Sequence, residues 1–202
     1  MKVTPLIGIL AVQGDVREHE QALGECGAST RRVRRPSELD GLDGLVIPGG
    51  ESTVMDKLVR AFDLRDDLRR LIREGFPAYG SCAGMIMLAD RLADGTGDQQ
   101  TLGGLDITVR RNAFGRQVDS FEADLHIAQL GPDPMRAVFI RAPSVEQWGE
   151  QVQVLATVDR DGTRPVAIRQ GNVVATSFHP EVTGDLRVHQ YFIDLVRKES
   201  HV

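Results

Sequence analysis

Gly80-Ser81-Cys82-Ala83-Gly84 stands between two segments of opposite character. Before it, Phe76-Pro77-Ala78-Tyr79 is extended, because a residue ahead of proline is pushed out of the α region. After it, Met85-Ile86-Met87-Leu88-Ala89 is rich in helix formers, and the helix is expected to run to the polar turn Asp94-Gly95-Thr96-Gly97-Asp98. Strand, tight turn, helix is the layout of a nucleophile elbow, here with sulfur in place of a serine oxygen. Flanking glycines let the backbone turn sharply and lift Cys82 out of the fold, at a helix N-terminus that favours thiolate over thiol. The plain alternative is a cysteine that only packs a strand–helix junction.

Working outward, residues 6–12 form a continuous apolar run, the kind buried on both faces of a parallel sheet. Residues 16–26 read as an amphipathic helix stopped by Gly27, with His19 expected on its exposed side. A weak strand is expected near 30–33 and a strong one over 44–47, which runs into Pro48-Gly49-Gly50-Glu51-Ser52-Thr53. Two glycines after a proline at a strand's carboxyl end leave backbone N–H groups unshielded, suited to an oxyanion; an ordinary β-to-α turn uses the same residues. Helices are expected over 54–59 and 64–73. Later strand candidates are 105–109, 120–127, 137–140, 152–158, 165–168 and 173–178, with an amphipathic helix over 184–198 closing the chain. The pattern implies one α/β domain over residues 1–202: an open, mostly parallel sheet with helices on both faces and antiparallel strands in the second half.

Bulk properties narrow the function. A chain of 202 residues, 41% hydrophobic and 26% charged, has an ordinary globular composition. With a net charge of −5 and only one basic run, Arg31-Arg32-Val33-Arg34-Arg35, nucleic-acid binding is not expected. No apolar run approaches the ~20 residues that span a bilayer, so no membrane role is expected. Two cysteines and no signal-like start point to a reducing, cytoplasmic setting.

Of the five histidines, His19 and His189 fall on expected helices, His126 in an expected strand and His201 in the tail. His179 instead ends the run Val173-Val174-Ala175-Thr176-Ser177-Phe178 ahead of Pro180, at the carboxyl end of a buried strand, where open α/β sheets place their chemistry. Glu181 lies two residues on, on the same side of an extended segment, able to hold the imidazole tautomer. Cys82, His179 and Glu181 thus offer a nucleophile, a base and an orienting carboxylate. A zinc site is the alternative, but structural zinc normally wants four ligands with paired cysteines, and Cys26 is not obviously near.

These motifs resemble the class I, or triad, glutamine amidotransferases. Ala11 to His19, the block Arg111-Asn112-Ala113-Phe114-Gly115-Arg116-Gln117, Asp119-Ser120-Phe121-Glu122 and Phe139-Ile140-Arg141-Ala142-Pro143 look more narrowly like the glutaminase subunit of pyridoxal 5'-phosphate synthase. The resemblance covers nearly the whole chain and departs only slightly, with Ser81 where threonine is frequent and Val182 where leucine is. It implies a flavodoxin-like fold and hydrolysis of L-glutamine, with ammonia passed to a synthase subunit and no cofactor or metal required. Carried over by position, Cys82, His179 and Glu181 form the triad, and Gly49, Gly50, Glu51, Arg111, Ile140 and Arg141 bind glutamine; the backbone N–H groups of Ala83 and Gly50 are expected to hold the oxyanion of the reaction. Because free ammonia is protonated in water, the Gly49-Gly50 peptide is expected to reorient when the synthase docks. Two rival readings share part of this pattern: the glutaminase of another class I system, such as imidazole glycerol phosphate synthase, and a non-catalytic binding protein on a similar elbow fold.

Overall fold

The computed structural model describes residues 4–95, 97–111, 120–160 and 162–199. The first half alternates strand and helix: β1 (Leu6–Leu10), α1 (Val16–Glu25), β2 (Ser29–Val33), β3 (Gly44–Ile47), α2 (Ser52–Ala61), α3 (Arg65–Arg73), β4 (Ala78–Ser81) and the short α4 (Ala83–Leu88). Strands then dominate: β5 (Ala89–Leu92), β6 (Leu105–Arg110), β7 (Phe121–Leu125), β8 (Met135–Phe139), β9 (Ser144–Trp148), β10 (Gln153–Asp159), β11 (Thr163–Gln170) and β12 (Val173–Thr176), before α5 (Arg187–Glu199).

Seven strands form the central sheet in the order β10-β11-β12-β4-β3-β1-β2. Its parallel part, β2-β1-β3-β4-β12, is the doubly wound order that places ligands at the strands' carboxyl ends. Strands β10 and β11 extend it antiparallel. The expected fold, including the antiparallel second half, is therefore observed.

Period-two alternation makes two cores from one sheet. Leu45, Ile47, Ala78 and Ala175 face a core filled by α2, α3, α4 and the three-stranded sheet β5-β6-β9. Ile7, Ile9, Val46, Tyr79 and Val174 face the other, filled by α1, α5 and the β7–β8 pair. Each central strand is buried on both sides, which is why its sequence reads as an unbroken apolar run.

The structure corrects three local expectations. The helix after Cys82 stops at Leu88 instead of reaching Asp94: the Met87 carbonyl accepts from Leu102 N at 2.7 Å, and the next four residues pair with β6. Tertiary pairing overrides local helix propensity here. Strand β9, whose Glu146 and Gln147 hid it among polar residues, was not expected. His126 stands one residue past β7, not within it, and is exposed.

Helix α4 seats the elbow against the sheet. A Cβ on Gly84 would lie 2.1 Å from the Ile47 carbonyl oxygen, a backbone atom that cannot step aside. Gly84→Ala should therefore destabilise the protein by about 1–3 kcal/mol, read as a lowered urea midpoint; an unchanged midpoint would contradict this packing.

Candidate active site

Cys82 sits at the β4–α4 junction with φ 48° and ψ −103°, a region that non-glycine residues seldom occupy and that costs of order 1–3 kcal/mol. Its backbone is fixed on both sides. Its N–H donates to Thr176 O at 2.8 Å, and its carbonyl accepts from Met85 N at 3.0 Å. The side chain is nearly buried, with Sγ 3.8 Å from the Ile140 carbonyl oxygen.

His179 follows β12, the strand beside β4, and its N–H donates to Val138 O at 3.0 Å. The ring and the Cys82 sulfur border the same cleft, and the sulfur raises the imidazole's affinity for its proton. The ring's Nδ1 is 2.7 Å from Glu181 Oε1. Assigning the Nδ1 proton to that carboxylate leaves Nε2 for the sulfur. Glu181 reaches the ring from a 3-10 turn, Pro180–Val182, and not from the extended segment the sequence suggested. A second carboxylate was missed: Asp15 Oδ2 lies 3.5 Å from the same Nδ1.

Burial alone would push the His179 imidazole down, but hydrogen bonds to Asp15, Cys82 and Glu181, together with attraction to Cys82, hold it well above its ordinary value. The arrangement favours an imidazolium beside the sulfur. Because the folded-state value is raised, this pairing stabilises the fold fully below the unfolded histidine's value and is lost as pH rises through the folded one. Asp15, His179 and Glu181 are the one group of possible metal ligands found among the described residues, with ligand atoms within 4.8 Å of one another. Two of those atoms are already spent on each other, so the cluster reads as a charge-orienting set.

Around the thiol opens a cleft of ≈ 340 Å³, bordered by Cys82, His179, Gly50, Arg111, Ile140 and Arg141. Glu51 also lines it, together with Gln13, Asp15 and Ser52, which motif reasoning had not assigned roles. Gly49 stands behind the ring: a Cβ there would come within 2.5 Å of His179 Cε1. The glycine loop is tied to the loop after β1, through Asp15 N to Gly49 O at 3.1 Å and Glu51 N to Gln13 Oε1 at 2.8 Å. Gly50 has φ +156°. Ala83 begins α4, so its N–H has no partner from the preceding helical turn.

Two candidate substrate groups carry local duties as well. The Glu51 carboxylate caps α2, accepting from Thr53 N at 3.3 Å and from the Thr53 hydroxyl. Burial pushes this carboxyl up, and the Thr53 and Val54 hydrogen bonds with the Arg111 charge bring it below its ordinary value. Arg111 is held by Asp94, whose Oδ1 accepts from Arg111 N at 2.9 Å. Arg141 takes φ 47° beside the cleft. Residues 112–117 of the block beginning at Arg111, and Asp119, lie outside the described residues.

His19 is the clearest departure from expectation. It is fully buried, because its helix face meets β4 and α5 behind Glu181 instead of solvent. Its spacing of three or four residues from Val16, Ala22 and Leu23 sets it beside the apolar stripe, but nothing local in the sequence shows that α5 covers it.

The SNO glutamine amidotransferase family model matches residues 9–198. A Rhodococcus opacus protein described as pyridoxal 5'-phosphate synthase subunit PdxT is 61% identical over 197 residues, 96% of this chain and 98% of the relative. One from Nocardia farcinica with the same description is 64% identical over 96% of this chain and 86% of the relative. A solved structure described as a glutamine amidotransferase superposes with TM-score 0.86 at 46% identity, covering 94% of this chain and 98% of that one. PurLQS from Thermotoga maritima, at 16% identity, TM-score 0.69 and coverage of 95% and 99%, is similar in fold.

Replacing Glu181 by glutamine removes one of the charges that keep His179 protonated. Its imidazole titration, followed by NMR, should then fall by about one unit or more toward the ordinary value; an unmoved titration would contradict the pairing.

Proposed function

Because the chain belongs to the SNO glutamine amidotransferase family, we propose that Cys82, His179 and Glu181 are the catalytic triad of its glutaminase activity. The chain hydrolyses L-glutamine to L-glutamate and ammonia as a subunit of pyridoxal 5'-phosphate synthase. The observation that carries the residue assignment is the His179 ring, bonded at Nδ1 to Glu181 Oε1, lining one cleft together with Cys82.

The Cys82 thiolate attacks the side-chain amide carbon, and the tetrahedral oxyanion is held by the N–H groups of Ala83 and Gly50, each such donor worth about 3 kcal/mol in the transition state. His179 gives its proton to the departing nitrogen, the C–N bond breaks, and a γ-glutamyl thioester remains on sulfur. His179 then takes a proton from water, the resulting hydroxide attacks the thioester, and the C–S bond breaks to release glutamate. Glu181 keeps the ring aligned through both halves. Glutamine is a zwitterion, so Arg111 or Arg141 serves its α-carboxylate and Glu51 its α-ammonium, with Gly49 and Gly50 forming the loop wall and Ile140 the rim.

Ammonia is useful only where an acceptor waits, so the glycine loop is completed by docking of the synthase. The Gly49–Gly50 peptide, whose carbonyl accepts from Asp15 N and whose neighbouring Glu51 N donates to Gln13 Oε1, reorients on contact. Glutamine turnover should rise at least about tenfold when the synthase is added; equal rates with and without it would end this idea. Working with that partner, Cys82→Ala should lose synthesis from glutamine and keep synthesis from ammonium salts. Retained glutamine-dependent synthesis would remove Cys82 from the mechanism.

A further inference from the structure

Behind the triad lies a buried polar chain that the glutaminase steps do not use. His19 Nε2 is 3.1 Å from Ser81 Oγ and 3.7 Å from Glu181 Oε1, while His19 Nδ1 is 3.0 Å from His189 Nε2. Both histidines are fully buried. Among the described residues, His189 Nδ1 at the far end of the chain has no hydrogen-bond partner, and Glu181 Oε2 at the near end has none. The rings pack edge-on against Tyr79, whose centroid is 6.0 Å from that of His19 and 5.9 Å from that of His189.

We propose that His19 is a positioning residue for the glutaminase site, its Nε2 proton directed toward Ser81 Oγ and Glu181 Oε1 by a tautomer that His189 imposes. This rests on the triad assignment above.

The proton placement follows from the unpartnered His189 Nδ1. Burial first, then the neighbouring His189 and His179, keep the His19 imidazole well below its ordinary value, and burial brings His189 down to about 4. Both rings are therefore neutral near pH 7, with one N–H each. If His19 donated from Nδ1 to His189 Nε2, the His189 proton would sit on Nδ1 and be a buried donor without an acceptor. Buried orphan N–H groups are rarer than buried orphan acceptors. The proton therefore sits on His189 Nε2 and points at His19 Nδ1, which forces the His19 proton onto Nε2. There it faces the same carboxylate oxygen that accepts from His179 Nδ1.

At 3.7 Å the contact with Glu181 is electrostatic, and the hydrogen bond goes to Ser81 Oγ. The consequence is still specific. One Glu181 oxygen is unpartnered, so the carboxylate is oriented from the other, where His179 and the His19 dipole converge. Losing His19 leaves Glu181 with freedom to turn, and His179 loses part of what holds it above its ordinary value. The titratable groups around this point are His189 from α5, Tyr79 and Cys82 from β4 and its elbow, His179 and Glu181 after β12, and Asp15 at the start of α1.

The test uses the full chain with its synthase partner, comparing His19→Leu, which removes the donor, with His19→Gln, which restores one. The variants are assayed for glutamine hydrolysis across pH, beside unmodified protein whose nitrogen NMR spectrum reports the tautomer of His19. For His19→Leu we expect kcat lowered about tenfold with KM for glutamine within about twofold. The alkaline limb of its kcat profile should move to lower pH, because a less firmly held imidazolium loses its proton sooner. His19→Gln should recover most of the kcat and the limb, and the unmodified protein should carry the His19 proton on Nε2. A folded His19→Leu with unaltered kcat and pH profile would overturn the proposal. So would equal impairment of both variants with the limb unmoved, or a proton on Nδ1. The NMR result decides the matter even if His19→Leu does not fold. Failure of the unmodified protein to hydrolyse glutamine would count against the triad instead.

Discussion

The site depends on the register between two parallel strands. Thr176 of β12 pairs with Ser81 of β4, and the next N–H along β4, that of Cys82, donates to Thr176 O. That pairing puts two strand ends side by side, one leading into the Cys82 turn and the other into Phe178 and His179. Successive side chains alternate faces along a strand, so a slip of one residue would turn Tyr79 and Val174 from one core to the other. Both cores enforce the register, through Ala78 and Ala175 on one side and Tyr79 and Val174 on the other. The fold thereby holds Cys82 in a conformation that an isolated peptide would avoid, and presents its sulfur to the ring of His179.

Charge is then arranged in depth behind that contact. Glu181 and Asp15 both approach His179 Nδ1, from a 3-10 turn and from the start of α1, so two unrelated elements meet on one imidazole atom. Behind Glu181 stand neutral rings, His19 and His189, and the Tyr79 hydroxyl, which burial pushes well above its ordinary value and which bonds Thr176 Oγ1 at 3.0 Å. The carboxylate is buried, and His179 is the group it bonds. A negative charge in such surroundings acts strongly on the one positive group it touches.

Much of this was legible in the chain itself. The apolar run over residues 44–47 coincides with β3, and the glycine–proline loop after it lines the cleft as its position at a strand end implied. The order of Cys82, His179 and Glu181 at strand ends was enough to bring them together, because the doubly wound topology leaves few other places for such residues. What escaped the sequence depends on long-range partners. The helix after the elbow is cut short by pairing with β6, a segment more than a dozen residues on. His19 looks like any polar residue of an amphipathic helix until α5 covers it from the other end of the chain. Asp15 reads as a turn residue because its partner, His179, is distant in sequence.

The central claim is that one sulfur, Cys82, is the nucleophile toward glutamine, and the other cysteine, Cys26, provides the internal control. Cys26 is partly buried at the C-terminal end of α1, and burial, with the nearby Glu25 and Asp194, pushes its thiol up. The most direct measurement is alkylation of the complex with synthase by an electrophilic glutamine analogue, with the modified peptide located by mass spectrometry. The account predicts rapid, stoichiometric label on Cys82, protection by glutamine, and none on Cys26. Label elsewhere, or a Cys82 that stays unmodified while glutamine is still hydrolysed, would contradict it.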